Sequence, residues 1–265
     1  MDYRILNQHT EVDVTPLPLI PQIYDDLHDK VLFSKFNIHW GYNNIQIAKE
    51  DRWKTGFKMT RGLFESNVMP FGLCNTPATF SRMGLAIFRP LEVKYPGRCQ
   101  YYMDDFGTFT KEGEEELHRE INNAFFKVLD KVDLYLRPEK CIFEQLEMDF
   151  LRIHIKNSEI SIDPSKIAGI KEYDEMLKSV KEVRKFLGMV RYQRPFIRDF
   201  AKLAKPLTDL TKKSPTFELT PEATEAVKAL KKAITSEPVL VPPDPHRQFE
   251  LETDASLFTT GAILY

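Results

Sequence analysis

The stretch CQYYMDDFGTFT, residues 99–110, places two adjacent carboxylates, Asp104 and Asp105, inside a run of aromatic and β-branched residues. This composition predicts a β-hairpin whose turn carries both acids. A hairpin tip exposes side chains that its strands hold in place, which suits a divalent cation, because Mg²⁺ takes one or two carboxylates and completes its shell with water and phosphate oxygens. The alternative is a solvated turn, since Asp is a common turn residue. The flanking aromatic residues favour the metal site, because a surface turn does not need them.

The composition is that of a globular chain without a charge bias. Of the 265 residues, 42% are hydrophobic, which argues against disorder. Lys and Arg total 37 against 39 Asp and Glu, so the net charge identifies no partner. The three cysteines contain no CxxC pair, which argues against a disulfide framework or a zinc site and fits a reducing compartment. No apolar run is long enough for a bilayer and no signal peptide opens the chain, so we expect an intracellular location, cytoplasmic or nuclear, with no membrane partner.

The pattern along the chain predicts an α+β fold, because strands and helices follow one another without a regular βαβ repeat. Pro and Gly divide the first part into short hydrophobic segments. The elements predicted there are a Pro-rich entry into a helix at 12–27, a strand, a turn at Gly41 and a second strand at 31–48, a hairpin and loop at 54–72, and a helix at 76–91 with Thr76 as N-cap and Pro77 in its first turn.

The second part is more helical and carries a local charge. Residues 114–136 have helical periodicity, and short strands follow at 140–163. Helices with Pro breaks continue from there, and residues 165–213 hold 13 Lys or Arg against 6 Asp or Glu, a net charge of +7. A helix capped by Thr220 and a single strand at 249–265 complete the predicted order. The predicted buried face of the helix in 114–136 consists of Leu117, Ile121, Ala124, Phe125 and Val128.

Further motifs accompany the acidic hairpin. They are FSKFNIHWGYNNIQI (33–47), WKTGFKMTRGLFESNVMPFGLCNTPATFSRM (53–83), VLDKVDLYLRPEKCIFE (128–144), VKEVRKFLGMVRYQRPFIRDFAKLAKPLTDLTKK (180–213) and SEPVLVPPDPHRQFELETDAS (236–256). In this order and spacing, over nearly the whole chain, they resemble the pol polyprotein of gypsy-type LTR retrotransposons, which is related to retroviral reverse transcriptases. The resemblance implies the right-hand polymerase fold, with a palm, partial fingers, a helical thumb, a connection and the start of an RNase H-like domain.

The resemblance also implies roles for single residues. Asp104 and Asp105 match two of the three palm carboxylates that hold Mg²⁺ or Mn²⁺. Met103 matches the position beside the primer terminus, Tyr42 the aromatic gate that excludes a ribose 2′-hydroxyl, and Phe71 the residue against the incoming nucleotide. Taken by themselves, Tyr42 and Phe71 would most often be core aromatics, and this alternative stays open.

Two longer segments match parts that hold nucleic acid. Residues 149–162 match the hairpin that grips the primer, and the basic helical segment matches the thumb. Lysines and arginines on helices commonly form a solvated face. A cluster of net +7 is better explained by phosphate contact, which gives a salt-sensitive grip that is independent of sequence.

The sequence departs from the family pattern at several positions. Asn37 stands where the third carboxylate is expected, and an uncharged amide holds metal ions less well than an acid, so we expect nucleotide addition to be impaired. Arg152 stands where the family usually has Gly, and it is strained if that position takes a positive φ. Asp254 matches the first metal-binding acid of the RNase H-like domain. We expect its partner acids beyond Tyr265, and therefore no RNase H activity. We also expect finger strands upstream of residue 1, which in the family carry basic residues that bind the triphosphate, so that part of the nucleotide site is absent.

The predicted organisation is a reverse transcriptase palm with partial fingers at 1–160, a thumb at 161–213, and a connection with a truncated RNase H-like segment at 214–265. The predicted function is RNA-directed DNA polymerase of a retrotransposon, which transfers nucleotides from dNTPs to a primer 3′-hydroxyl on an RNA or DNA template by two-metal catalysis. One alternative is a catalytically dead remnant that still binds nucleic acid. Another is the product of a decayed gene without a role.

Overall fold

The computed structural model describes residues 2–15, 18–27, 29–157, 159–212, 217–236, 239–240, 248, 250–255 and 260–264. Its helices are α1 (Arg4–Gln8), α2 (Ile20–Asp25), α3 (Thr76–Lys94), α4 (Glu115–Val132), α5 (Pro164–Lys171), α6 (Val180–Arg191), α7 (Phe200–Asp209) and α8 (Pro221–Thr235). Its strands are β1 (Leu32–Asn37), β2 (Phe57–Met59), β3 (Gly62–Phe64), β4 (Cys99–Tyr102), β5 (Asp105–Thr110), β6 (Ile142–Gln145), β7 (Glu147–Phe150), β8 (Ile153–Lys156), β9 (Glu159–Ile162), β10 (Val239–Leu240), β11 (Leu251–Ala255) and β12 (Thr260–Leu264). This mixture of helices and antiparallel sheets confirms the predicted α+β class.

An antiparallel sheet with the order β4-β5-β1-β6 lies at the centre of the fold. Strand β1 runs between β5 and β6. Its side chains alternate between the two faces of the sheet, and a hydrophobic core lies on each face. Phe33 belongs to the core on one face, and Phe36 to the core on the other. The charged residue Lys35 and the amide residue Asn37 are two positions apart and therefore share one face of β1.

Helices α3 and α4 pack against the face that carries Phe36. The core there is aromatic, and the rings of Phe106 and Phe125 stack with centroids 4.1 Å apart. Burying an aromatic side chain of this size contributes about 1.5–3 kcal/mol, so the stack fixes the start of β5 firmly against α4.

The opposite face packs against a second antiparallel sheet, β10-β9-β8-β7, and against the later helices. The helices α5, α6 and α8 begin with the side-chain caps Asp163, Ser179 and Thr220, and the last of these confirms the predicted cap. Helix α8 packs against α5 and α7, and β10 pairs with β9, so the segment after residue 213 shares the core of the basic helices. The predicted short strands and helices of this part are confirmed.

Helix α4 buries a face that differs by about one residue from the predicted one. Its buried residues are His118, Ile121, Asn122, Phe125 and Leu129. The two polar members are accommodated because the imidazole of His118 pairs with the hydroxyls of Ser34 (2.7 Å) and Thr110 (2.8 Å), and the amide of Asn122 donates to Ser34 (3.2 Å). Hydrophobic periodicity alone misses a buried polar network of this kind.

Three other predictions of local structure are wrong. The second strand within 31–48 is replaced by a 3₁₀ helix and a single bridge from Gln46 to Val68, because no further residue there finds a strand partner. Helix α3 begins at Thr76, so Asn75 is its N-cap, and the Thr76 hydroxyl instead donates to the carbonyl of Pro70. The single strand predicted at 249–265 is the antiparallel pair β11 and β12, while residues 249, 256–259 and 265 lie outside the described residues.

Candidate active site

The acidic hairpin ends in a two-residue turn. Tyr102 pairs with Asp105, which leaves Met103 and Asp104 as the connection between β4 and β5. Met103 has a φ of +54°, a left-handed conformation that tight hairpin turns require. The prediction that both acids lie in the turn is therefore corrected: Asp104 is in the turn, and Asp105 is the first residue of β5.

Asn37 lies directly beside both acids. It is the partner of Asp105 in the register of β1 and β5, and it is buried, with 6% of its surface exposed. Its amide nitrogen Nδ2 donates to Oδ1 of Asp105 at 2.9 Å and to Oδ2 of Asp104 at 3.2 Å. The structure thus brings together the three residues that the sequence predicts as a set, and an uncharged amide occupies the position between the two carboxylates.

Burial controls the electrostatics of Asp105. Loss of solvation raises the pKa of its carboxyl group, and the negative charge of Asp104 raises the pKa further. The hydrogen bond from Asn37 and the ammonium group of Lys35, whose Nζ lies 4.0 Å from Oδ2, act in the opposite direction on the pKa. The net shift of the pKa is upward, because the loss of solvation outweighs these contacts.

The donor set fits a magnesium ion held by two carboxylates. Asp104 and Asp105 are adjacent and present oxygen ligands, the type that Mg²⁺ prefers. Asn37 turns its donor nitrogen toward them, so it can supply an oxygen ligand only if its amide group rotates. Within the described part of the chain, no three His, Cys, Asp or Glu residues are grouped as metal ligands.

A groove runs from the acid pair toward the later helices. Its lining consists of Lys35, Tyr102, Met103, Asp104, Asp105, Asp149, Leu151, Arg152, Asp163 and Lys166. The cations Lys35, Arg152 and Lys166 face the same space as the acids, and this mixture can bind a phosphate group and a divalent cation side by side. The sequence motifs pointed to neither Lys35 nor Lys166. The two-residue spacing could have indicated Lys35, because it places this lysine on the same face of β1 as Asn37.

A second pocket adjoins the acid pair on the side of α3. It is lined by Gly41, Tyr42, Phe71, Phe80, Met103 and Asp104. The ring of Tyr42 lies between Phe71 and Phe80, with centroids 4.9 and 5.3 Å away. Phe71 is 75% exposed, so it is not a core residue. The three residues predicted to contact the nucleotide therefore share one pocket that opens beside Asp104.

The hairpin between β7 and β8 forms another wall of the groove. Both residues of its turn, Leu151 and Arg152, have positive φ, +48° and +74°. Such a conformation is costly for a side chain other than glycine. The guanidinium carbon of Arg152 lies 4.5 Å from the ring centroid of Tyr192 on the segment that follows α6, a cation–π geometry.

Arg152 also belongs to a basic pocket beside α6. The residues that line it are Arg152, Lys166, Ile170, Lys185, Gly188, Met189, Tyr192 and Gln193. Three cations and an exposed aromatic ring around one opening are typical of a surface that holds a nucleic-acid backbone. The sequence predicted the charge of this segment but not Tyr192.

Asp254, the predicted remnant of an RNase H-like site, lies in β11 opposite Gly261. Its side chain is not among those that the structure describes. Among the described residues no helix has the length and apolar character needed to cross a bilayer.

The family comparisons agree with this geometry. A model of the family described as "Reverse transcriptase (RNA-dependent DNA polymerase)" matches residues 1–189, and a model of the "RNase H-like domain found in reverse transcriptase" matches residues 219–265.

Full-length relatives are retrotransposon polyproteins. The chain is 37% identical, over its whole length, to the retrovirus-related Pol polyprotein from transposon 297 of Drosophila melanogaster, of which it spans 24%. It is 32% identical to the transposon Tf2-3 polyprotein of Schizosaccharomyces pombe, of which it spans 19%. The chain thus covers a quarter or less of the length of these relatives.

Solved structures show the same fold. The foamy viral protease-reverse transcriptase dRH in complex with double-stranded DNA superposes with a TM-score of 0.83 at 22% identity, covering all of this chain and 46% of that one. The same viral protein in complex with an RNA/DNA hybrid gives a TM-score of 0.81 at 22% identity and 35% coverage of that chain. The resemblance to retrotransposon Pol proteins and the right-hand polymerase fold predicted from the motifs are confirmed. The chain belongs to the reverse transcriptase (RNA-dependent DNA polymerase) family.

Proposed function

We propose that this chain is the polymerase segment of a retrotransposon Pol protein, which adds dNTPs to the 3′-hydroxyl of a primer on an RNA or DNA template at a rate that Asn37 lowers. The observation that carries the proposal is the convergence of Asp104, Asp105 and position 37 at the junction of the groove and the aromatic pocket. This junction has the parts that nucleotidyl transfer requires: oxygen ligands, a place for a strand end and a place for a nucleotide.

The proposed roles follow from the positions of the side chains. Asp104 and Asp105 hold Mg²⁺ or Mn²⁺. Tyr42, Phe71 and Met103 line the pocket for the incoming nucleotide, where the Tyr42 ring, between Phe71 and Phe80, limits the space beneath the sugar. A divalent cation bound by these two acids would activate the primer hydroxyl and stabilise the leaving pyrophosphate.

Asn37 is the reason for the low rate in this proposal. A third carboxylate would add a negative charge and two acceptor oxygens, whereas the Asn37 amide directs a donor at the oxygens that a cation would share. The affinity of the site for divalent cations is therefore lower than that of an acid triad, and the alignment of the reacting groups is less well fixed.

We further assign the palm with partial fingers to residues 1–160, the thumb to 161–213, and the connection with the RNase H-like segment to 214–265. The thumb is proposed to hold the primer-template duplex through its net positive charge. Asp254 is proposed as the first acid of an RNase H-like site. The free cysteines Cys74, Cys99 and Cys141 are compatible with the intracellular location, cytoplasmic or nuclear, that we propose.

A second candidate function is nucleic-acid binding without catalysis. The specific observation in its favour is the same amide, since the two carboxylates share a neutral donor in place of a third acid. In that case the basic pocket around Arg152 and Lys185 is retained, while nucleotide addition is lost.

The two candidates are separated by measuring binding and incorporation on one preparation of the chain. Primer-template affinity is read by fluorescence anisotropy at several salt concentrations, and single-nucleotide incorporation by gel assay with Mg²⁺ and with Mn²⁺. Slow incorporation that Asp104→Asn abolishes, with unchanged binding, supports the polymerase. Salt-sensitive binding with no incorporation supports the second candidate, and absence of both overturns the two proposals together.

A further inference from the structure

Both carboxylate oxygens of Asp105 are engaged by side chains of β1. Oδ1 accepts a hydrogen bond from Nδ2 of Asn37 at 2.9 Å, and Oδ2 lies 4.0 Å from Nζ of Lys35. The two donors are two residues apart on the same face of the strand. One is a neutral amide, and the other carries a full positive charge.

Lys35 is held in this position rather than swinging freely. Its ammonium group also donates to the backbone carbonyl of Asp149 in β7 at 3.2 Å, and its side chain is 21% exposed. A lysine anchored at two points has little conformational entropy left to lose, and its partial burial weakens screening by water. Its charge therefore lies next to the acid pair in this structure.

We propose that Lys35 is a built-in cation of the acid pair, which competes with a divalent metal ion for Asp105 and raises the metal concentration that the site requires. The inference rests on the proposed function, because it concerns the metal that this function uses. The ammonium group of Lys35 and a divalent ion bound to Asp105 would repel each other, since both are positive and the groove is partly buried. With Asn37 uncharged, Asp104, Asp105 and Lys35 carry a net charge of −1, and Lys140 adds a more distant positive charge. A divalent ion is therefore attracted more weakly than by three carboxylates.

The test measures Mn²⁺ binding directly, by electron paramagnetic resonance of the free ion and by calorimetry, on the whole chain. The background is Asn37→Asp, in which the three acids make the affinity measurable, and Asp105→Asn in that background defines the signal from other acidic surfaces. Lys35→Met added to Asn37→Asp should tighten the specific Mn²⁺ affinity by about tenfold, the order expected when one charge is removed at this distance in a partly screened site. Lys35→Arg keeps the charge and should leave the affinity within about twofold.

The outcomes separate the inference from the function on which it rests. If Asn37→Asp shows no Mn²⁺ binding that depends on Asp105, the proposed metal site is overturned together with the role of Lys35. If such binding exists but Lys35→Met leaves it unchanged or weaker, the role of Lys35 is overturned and the metal site stands. Lys35→Gln repeats the comparison should the Met variant unfold, and circular dichroism of every variant verifies the fold.

Discussion

Arg152 combines an unfavourable backbone conformation with a position in the groove, so its replacement should separate stability from binding. Its φ of +74° costs about 1–2 kcal/mol for a residue with a Cβ. The cation–π contact with Tyr192, which is 66% exposed, returns about 0.5–1 kcal/mol. A residue held at a net cost beside a candidate active site is expected to serve function rather than stability.

Two substitutions at this position isolate the backbone strain. Arg152→Ala and Arg152→Gly both remove the guanidinium group, but only Ala keeps the strain. Glycine loses about 0.4–1 kcal/mol through the greater freedom of the unfolded chain. Arg152→Gly should therefore have a free energy of unfolding higher than that of Arg152→Ala by about 0.5–1 kcal/mol, measured by urea denaturation.

Both substitutions should weaken nucleic-acid binding by the same amount. Arg152 lines the groove that carries Asp104 and Asp105 as well as the basic pocket, so we expect it to contact one phosphate of the bound strand. Loss of one phosphate contact should reduce the slope of log affinity against log salt concentration by about 0.9. Fluorescence anisotropy with a primer-template duplex at a series of salt concentrations measures this slope.

Either of two results would refute the reasoning about Arg152. If the Gly variant is no more stable than the Ala variant, the backbone is not strained at this position. If both variants bind the duplex with the parent slope, the guanidinium group does not contact phosphate. Lys127→Ala, on the exposed surface of α4, is the matched control for loss of one positive charge away from the groove.

Two further predictions concern the folded core. Burial lowers the pKa of His118 to about 4 from its usual 6.5, so the unfolded chain binds a proton in this window that the folded chain does not. The free energy of unfolding should therefore fall by about 3 kcal/mol as the pH is lowered from 6.5 to 4. His118→Gln should remove this part of the pH dependence, as measured by urea denaturation at several pH values. A pH profile that is the same in the variant and the parent would contradict the prediction. A Cβ at Gly84 would overlap the ring of Tyr101, so Gly84→Ala should lower the free energy of unfolding by about 1–3 kcal/mol or more. A thermal midpoint equal to that of the parent would contradict this, because it would mean that Tyr101 moves aside without cost.

The sequence predicts those parts of the fold that depend on local pattern. The acidic hairpin, the capped helix at Thr220 and the short strands around residue 150 follow from turn chemistry, capping and alternation, which act within a few residues. The prediction of a second strand within 31–48 failed because a strand exists only where a partner pairs with it, and Gln46 finds one partner residue, Val68. The buried face of α4 differs from the predicted one because His118 forms hydrogen bonds inside the core with Ser34 in β1 and Thr110 in β5. Both partners lie outside the helix, so the helical periodicity does not reveal them.

The candidate site shows the same limit. The motif comparison points to Asp104, Asp105 and Asn37, and the strand register explains why they meet. The direction of the Asn37 amide, the ion pair of Lys35 and the stacking of Arg152 depend on contacts between distant segments. No spacing rule within one strand or one turn contains that information.

The most direct test of the central claim is single-turnover dNTP incorporation by the chain and by Asn37→Asp, on the same primer-template and over a range of Mg²⁺ concentrations. The claim is that an amide between Asp104 and Asp105 limits catalysis. We predict that Asn37→Asp raises the rate by about 10²-fold or more at saturating dNTP, as a loss of roughly 3 kcal/mol in transition-state stabilisation requires, and that it lowers the Mg²⁺ concentration needed for half the maximal rate. Equal rates and equal Mg²⁺ dependence in the two proteins would contradict the claim.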